Sequence, residues 1–295
     1  MNKRNKDVKK QSRVRLIIQI LAAAIFNGYL IGFFKGKIFK GNSKGVCVPI
    51  LNCHSCPGAV GACPIGSLQA VLGGNRHNFS FYILGFIMLF GILFGRFICG
   101  FLCPFGLIQD LLYKIPVPKV KILKIFDKLL RYIKYIILII FVIFMPIFIT
   151  NKFGIAPPYF CKWICPAGVL EGAWPLITAN ESLRANLGFL FNWKLGVLIA
   201  IVVAAVFTYR PFCKYLCPLG AMYSLFNKFS FYQMNLDSKK CTNCKLCEEK
   251  CKMGVEITKN INSTECIRCG ECKNICPNGA ISSGFMKNSY INLDR

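Results

Sequence analysis

Eight cysteines between Cys241 and Cys276 have the residue type and the spacing that metal chemistry needs. They form two runs, CTNCKLCEEKC and CIRCGECKNICP, and each run has the spacing Cys-x2-Cys-x2-Cys-x3-Cys. This spacing is typical of paired [4Fe–4S] clusters, in which three thiolates of a run bind one cluster and the fourth binds the other. We therefore predict one cluster held by Cys241, Cys244, Cys247 and Cys276, and a second held by Cys266, Cys269, Cys272 and Cys251.

Zinc is the alternative for these two runs, because sites made of four cysteines also bind zinc. Zinc sites usually use two separated Cys-x2-Cys pairs rather than a triplet plus one distant cysteine. The spacing therefore favours iron–sulfur clusters.

A second pattern repeats four times upstream of the tail. The repeats read CPIGSLQAVL at 63–72, CPFGLIQDLL at 103–112, CPAGVLEGAW at 165–174 and CPLGAMYSLF at 217–226. Three of them carry another cysteine four residues before the Cys-Pro pair, whereas the first has Cys56, seven residues before Cys63. Proline after a cysteine favours a helix start, and the glycine allows a tight turn there. Each repeat is predicted to be a cysteine-bearing turn followed by a short helix.

Long apolar segments precede these repeats. The chain has 295 residues, is 55% hydrophobic and carries a formal net charge of +25, with a mean hydropathy of +0.49. This combination is typical of an integral membrane protein, and the basic residues flank apolar segments as topology signals rather than forming a nucleic-acid interface. We predict spans at about 14–34, 79–98, 132–149 and 187–209. They divide the chain into a basic N-terminus (1–13), an all-α membrane domain (14–230) and a small α+β two-cluster ferredoxin-like domain (231–295).

The distribution of Lys and Arg predicts the topology. Seven lie within residues 1–15 and eight from Arg96 to Lys134, around the connector between the second and third spans, against five after the first span and three after the third. Basic segments stay on the cytoplasmic side. We therefore expect a multi-pass protein of the cytoplasmic membrane with both termini, and the tail domain, in the cytoplasm.

We predict that the four spans with their repeats form two parallel halves, related by an axis along the membrane normal. Pairing of the halves brings Cys99 and Cys103 next to Cys213 and Cys217 on the inner side. On the outer side it brings together Cys56, Cys63, Cys161 and Cys165, with Cys47 and Cys53 as alternates. Four thiolates are the number that one [4Fe–4S] cluster needs, so one or two further clusters are predicted in the membrane domain. Disulfides, zinc half-sites or redox-active thiol pairs remain alternatives for these cysteines.

At these residues the chain resembles a family of membrane-bound 4Fe–4S binding proteins with Cys-x3-Cys-Pro motifs. This family includes the membrane ferredoxin of periplasmic nitrate reductase systems and related polyferredoxins. The resemblance rests on CGFLCP at 99–104, CKYLCP at 213–218 and the two tail runs, and it covers most of residues 14–284. It implies four spans and cytoplasmic clusters. The outer segment CVPILNCHSCPGAVGACPIG at 47–66 and the motif at 161–166 depart from the nitrate branch.

Electron transfer is the predicted function. Electrons would pass between a cytoplasmic or quinol donor and an acceptor on the outer face, so the expected partners are the lipid bilayer, redox proteins on one or both faces, and a quinone. The chain has no Gly-rich nucleotide fingerprint and no Ser–His–Asp set, which favours a component of an oxidoreductase system over a stand-alone enzyme. The alternative is an accessory protein for copper reduction, metal assembly or redox sensing, because soft thiolates also select Cu(I).

Overall fold

A computed structural model describes residues 2–74, 80–120, 122–151, 155–185 and 187–285 of the chain. Residue 79, where the second span was predicted to start, and residues 286–295 of the predicted tail domain lie outside these ranges. The described chain is mostly helical and carries a small two-stranded sheet near its C-terminal end.

The first half of the helical region, up to residue 112, contains a long N-terminal helix and several shorter ones. In chain order the helices are α1 (Asn2–Phe26), α2 (Ile31–Lys35), α3 (Pro64–Leu72), α4 (Phe81–Phe94), α5 (Phe97–Phe101) and α6 (Pro104–Leu112), with a 3₁₀ turn at Asn42–Gly45. The predicted first span at 14–34 is interrupted, because α1 ends at Phe26. Residues of the following connector take its place: Val60 N donates to Phe26 O at 3.1 Å, and Tyr29 N donates to Gly58 O at 3.2 Å.

The second half repeats this arrangement with π-helical turns inside it. Its helices are α7 (Lys124–Leu130), α8 (Ile133–Ile137), α9 (Met145–Phe148), α10 (Tyr159–Trp163), α11 (Trp174–Ala179), α12 (Glu181–Ala185), α13 (Phe189–Phe207) and α14 (Pro218–Phe226). The π-helical turns are Leu138–Phe144, Gly168–Ala173 and Phe212–Leu216. Such turns re-aim backbone and side chains and are frequent at functional sites.

Two helical stretches among the described residues are long and apolar enough to cross a membrane: Lys124–Phe148 and Phe189–Phe207. Only 28% and 17% of their most apolar windows are buried inside the protein, so most of their apolar surface faces outward. Helix α4 is also apolar but has 14 residues, which is shorter than a hydrocarbon core of about 30 Å requires. Residues 124–130, which precede the predicted third span, are helical and belong to the first of the two long stretches.

The Cys-Pro repeats share one local structure. In α3, α6 and α14 the cysteine is the N-cap residue in extended conformation and the proline follows at the start of the helix. Proline fits this position because its N–H would have no helical partner there. The third repeat differs, since its helix begins with the π-helical turn at Gly168–Ala173.

The tail is closed by its sheet. Strands β1 (Tyr232–Leu236) and β2 (Ile281–Phe285) pair antiparallel, with Tyr232 opposite Phe285 and Leu236 opposite Ile281. Both cysteine runs lie between the two strands in sequence, together with the short helices α15 (Leu246–Lys250) and α16 (Glu271–Ile275). The sheet therefore holds the ends of the cysteine-bearing segment together, and a small α+β tail is present.

Buried ion pairs join three segments of the helical region that are distant in sequence. Asp110 accepts from Arg210 Nε at 2.8 Å and from its Nη2 at 2.6 Å, and also from Arg15 Nη2 at 3.0 Å. Arg210 is fully buried and Asp110 is 5% exposed. Burial alone would raise the pKa of Asp110, but the charge and hydrogen bonds of Arg210 and the charge of Arg15 lower it to about 2. This carboxylate therefore joins α1, α6 and the segment after α13.

Replacing Asp110 with Asn leaves the Arg210 guanidinium buried without its counter-charge. We expect a loss of about 3–5 kcal/mol of stability, the usual consequence of breaking a buried pair. The control Asp237→Asn removes an exposed carboxylate that pairs with Lys240 at 3.6 Å and should cost about 0–1 kcal/mol. The measurement is the unfolding midpoint of the detergent-solubilised protein at pH 7.

The contribution of Asp110 should also depend on pH. Because its folded pKa lies below its unfolded value, the stabilisation is complete above about pH 4 and is lost as the pH falls toward 2. Equal losses in the Asp110 and Asp237 variants would contradict a central role for Asp110.

Candidate metal centres

The eight tail cysteines line two separate cavities. Cys241, Cys244, Cys247 and Cys276 line a cavity of about 340 Å³, here called the first tail site. Cys251, Cys266, Cys269 and Cys272 line a cavity of about 490 Å³, here called the second tail site. The structure thus brings together both predicted tail sets, each made of three cysteines from one run and the fourth from the other.

The two runs wind around these cavities in the same way. Asn243 and Arg268, each two residues after the first cysteine of its run, both have positive φ, at 55° and 54°. Lys245 and Gly270, each four residues after that cysteine, have φ of 57° and 78°. Left-handed residues at these positions turn the chain tightly, which directs successive thiols inward. Three of these four are not glycine, so each run holds strained backbone.

Burial makes the second tail site a poor place for bare thiolates. It raises the pKa of Cys269 to about 12, because desolvation and the charge of Glu271 outweigh the charge of Arg15 and a backbone hydrogen bond. Burial also raises the pKa of Cys266, although the backbone N–H of Arg268 acts in the opposite direction. A positively charged metal group is what would hold such cysteines as thiolates.

A third cavity, of about 340 Å³, lies in the membrane domain. The cysteines that line it are the four predicted for the inner side: Cys99, Cys103, Cys213 and Cys217. We call this the inner site. They come from α5, from the N-caps of α6 and α14, and from the π-helical turn before α14. All four thiols are buried, and the rest of the lining is mostly apolar, with Arg96 as the one charged residue among the described residues of the lining.

A buried glutamine forms hydrogen bonds to one cysteine of the inner site and to the residue before it. Gln109 Nε2 donates to Cys213 Sγ at 3.0 Å, and Gln109 Oε1 accepts from Phe212 N at 3.1 Å. Gln69 makes the same pair of bonds on the other side of the domain. Its Nε2 donates to Cys161 Sγ at 3.5 Å and its Oε1 accepts from Phe160 N at 2.9 Å. Repeats one and three, and repeats two and four, are therefore in direct contact.

The outer cysteines form a looser group. Burial raises the pKa of Cys165, and the neighbouring thiols Cys161, Cys53 and Cys63 raise it further. Three of the predicted outer residues are thus brought together, and the cysteine that joins them is Cys53, predicted only as an alternate. Cys56 instead donates to Asn27 Oδ1 at 3.6 Å.

The remaining alternate, Cys47, lies apart in a short bridge. It pairs with Ala62, and the pKa of its thiol is raised by burial, against a hydrogen bond from Ser67. Within the described residues, no three or more His, Cys, Asp or Glu side chains lie close enough together to hold a single metal ion. The thiols of the tail and inner sites are arranged around cavities instead.

Sequence reasoning missed the residue six positions after each Cys-Pro cysteine. In the four repeats it is Gln69, Gln109, Glu171 and Tyr223. Each reaches a cysteine-bearing segment of another repeat or of the outer connector: Glu171 Oε2 accepts from Cys53 N at 2.9 Å, and Tyr223 Oη donates to Pro49 O at 3.0 Å. Alignment of the four repeats would have shown that every copy has a side chain able to form hydrogen bonds at this position.

Two protein-family models match parts of this chain. A 4Fe–4S binding domain family matches residues 77–122, 134–174 and 189–234, and a second 4Fe–4S binding domain family matches 259–282. An uncharacterized protein of Methanocaldococcus jannaschii is 31% identical over 227 residues, which are 76% of this chain and 79% of the relative. The chain belongs to the family of membrane-associated, ferredoxin-type 4Fe–4S binding proteins.

Two further relatives of this ferredoxin-type protein have more informative names. The methylamine utilization ferredoxin-type protein MauN of Methylorubrum extorquens is 26% identical over 81% of this chain and 73% of its own length. The regulatory protein NosR of Stutzerimonas stutzeri is 27% identical over 55% of this chain but only 21% of its own length. No solved structure matches the chain.

The cysteines of the chain fit a [4Fe–4S] cluster, which is the group that the family binds. Four Cys thiolates are the ligand set of a [4Fe–4S] cluster, and the first tail site, the second tail site and the inner site each have four cysteines around one cavity. The chain is therefore an iron–sulfur electron-transfer protein of the ferredoxin type.

Proposed function

We propose that this ferredoxin-type protein carries electrons across the cytoplasmic membrane through four [4Fe–4S] centres. Two are in the tail, one is at the inner site, and one is held by the outer cysteines. The observation that carries the proposal is the third cavity, because it gathers four cysteines from distant parts of the membrane domain. A [4Fe–4S] cluster supplies one-electron oxidation and reduction without a bound substrate.

The residues around the inner site have definable roles in such a relay. Cys99, Cys103, Cys213 and Cys217 would hold the cluster. The amide of Gln109 supports the Cys213 thiolate with a hydrogen bond, and the fully buried guanidinium of Arg96 supplies positive charge next to the anionic sulfurs. Apolar side chains such as Ile50, Ile98 and Leu219 line the rest of the cavity and exclude water. Hydrogen bonds to the sulfurs, net charge and solvent exposure are the features that set cluster potentials.

The contacts between repeats support two parallel halves of two spans each. Gln69 joins repeat one to repeat three, and Gln109 joins repeat two to repeat four, through the same pair of hydrogen bonds. Halves related by an axis along the membrane normal bring equivalent segments to the same face of the membrane. The inner and outer sites are then equivalent positions on opposite faces, and both chain termini are cytoplasmic.

On the outer side we propose Cys53, Cys63, Cys161 and Cys165 as the ligand set. This replaces Cys56 of the predicted set with Cys53, because Cys53 lies against repeat three: a Cβ atom placed on Gly172 would stand 3.4 Å from Cys53 Sγ. Glu171 supports the choice, since it accepts from the backbone N–H of Cys53 as Gln69 and Gln109 do beside their cysteines. Electrons would then travel between a cytoplasmic or quinol donor and an acceptor on the outer face.

Iron analysis of serine variants tests the inner site. Cys103→Ser and Cys217→Ser should each remove about four irons per chain, the content of one cluster, and the double variant should remove no more. The electron paramagnetic resonance signals of the tail centres should persist, while electron delivery to the outer face stops. The matched control is Cys47→Ser, a buried thiol outside all four proposed sets, which should keep full iron.

Three results would contradict this assignment. Additive losses in the double variant would show two separate sites, and no loss in either variant would return these cysteines to a structural role. Bound copper in place of iron would favour the metal-assembly alternative.

The outer set is tested by a matched pair of neighbouring thiols. Cys53→Ser should lower the iron content by one cluster, whereas Cys56→Ser should leave it unchanged. The reverse result would restore the ligand set that includes Cys56. A pair of variants with unchanged iron would mean that the outer cysteines hold no cluster.

Topology is tested with membrane-impermeant thiol reagents on introduced cysteines. Ser43→Cys and Lys239→Cys place a thiol at exposed positions in the outer connector and in the tail. In intact cells the first should react and the second should react only after the membrane is permeabilised. Reaction of the tail cysteine in intact cells would overturn the cytoplasmic placement of both termini.

A further inference from the structure

The inner site and the second tail site touch each other through one glycine. Gly100 lies between Cys99 and Cys103, and Ile267 lies between Cys266 and Cys269. A Cβ atom placed on Gly100 would stand 2.4 Å from the carbonyl oxygen of Ile267. The backbones of the two cysteine-bearing segments are therefore so close that only glycine, which has no side chain, fits at position 100 without a shift of the backbone.

Arg96 bridges the same two sites by hydrogen bonds. Its Nη2 donates to Cys213 O at 3.0 Å on the inner site. Its Nη1 donates to Thr264 O and to Glu265 Oε2, both at 2.9 Å, in the segment that leads into Cys266. A single buried side chain thus fixes the inner site against the second tail site.

Asn227 closes the contact from the other side. Its Oδ1 accepts from Arg96 N at 2.9 Å, and its Nδ2 donates to Ser263 O at 2.8 Å and to Cys266 O at 2.7 Å. Arg268 Nη2 donates to Asn227 O at 2.7 Å and its Nη1 to Phe94 O at 2.6 Å. The loop of the second tail site is therefore anchored to α4 and to the end of α14.

Among the described residues, those that line the first tail site include none from the helical region before residue 231. The residues that line it all belong to the tail, from Leu236 to Ile281, and Cys244 is exposed. The charged residues in its lining are Lys240 and Lys245. It lies at the solvent end of the tail, away from the membrane domain.

We infer that the second tail site is the electron-transfer neighbour of the inner site, and that Gly100 is the positioning residue that sets the distance between them. The inference rests on the proposed function. The step moves one electron between the two centres, so that one is oxidised and the other reduced, with no bond formed or broken. Transfer between fixed centres slows steeply with distance, so a close contact at this position favours it.

The test is Gly100→Ala in the full-length, iron-loaded protein. The added methyl group meets backbone rather than a side chain, so the loop of residues 262–270 must move away. We expect full iron and intact signals from each centre, but loss of the magnetic interaction between the inner and second tail centres in the reduced protein. Amide hydrogen exchange across 262–270 should rise. The control Gly85→Ala, in α4 with no atom within 4 Å of the added methyl, should match the wild type.

A second variant keeps the inference testable if Gly100→Ala impairs folding. Asn227→Asp adds no volume, but it places a carboxylate oxygen against the carbonyls of Ser263 and Cys266, so it should weaken the same contact. Unchanged magnetic interaction in both variants, with full iron, would overturn the inference and leave the proposed function intact. A wild-type protein with no iron in its membrane domain would overturn the proposed function, and this inference with it.

Discussion

The buried guanidinium of Arg96 is the interaction on which the relation between tail and membrane domain depends. It is fully shielded from solvent, so its charge must be met by nearby acceptors. Those acceptors are the carboxylate of Glu265 in the tail and the carbonyl of Cys213 in the membrane domain. Lys134 shares the same carboxylate. Neither domain can move away without leaving a buried charge unpaired, which explains why the two cysteine-bearing regions are held in contact.

Most of what could be predicted about the tail follows from the spacing of its cysteines. A thiol that must bind the same cluster as its neighbours three and six residues earlier has few chain paths available, so the run itself specifies the turn. The left-handed residues Asn243 and Arg268 are the structural expression of that constraint. The grouping of Cys276 with the first run and Cys251 with the second also follows from spacing alone, and the two cavities have this composition.

The ligands predicted for the outer side were harder to assign, because the connector that carries four of these cysteines has no matching segment elsewhere in the chain. Cys47, Cys53, Cys56 and Cys63 all lie in one long segment, and spacing cannot say which of them face the partner repeat. The outcome depends on long-range contacts, such as that of Glu171 with the backbone of Cys53. The same connector also breaks the predicted first span, since it satisfies backbone groups at Phe26 and Tyr29 that a continuous helix would have used.

The Cys-Pro unit explains why its copies contact one another in pairs. At its N-cap it offers a thiol to the positive end of a helix, where negative charge is stabilised, and Gly220 N donates to Cys217 Sγ at 3.3 Å in this way. Six residues later, on the same helix, Gln69 or Gln109 holds a cysteine that belongs to a different unit. Units one and two therefore each supply a thiol and also orient a thiol beside unit three or unit four. Because the oriented cysteine lies beside another unit in both cases, neither hydrogen bond could form in a single copy, and these sites depend on contact between copies.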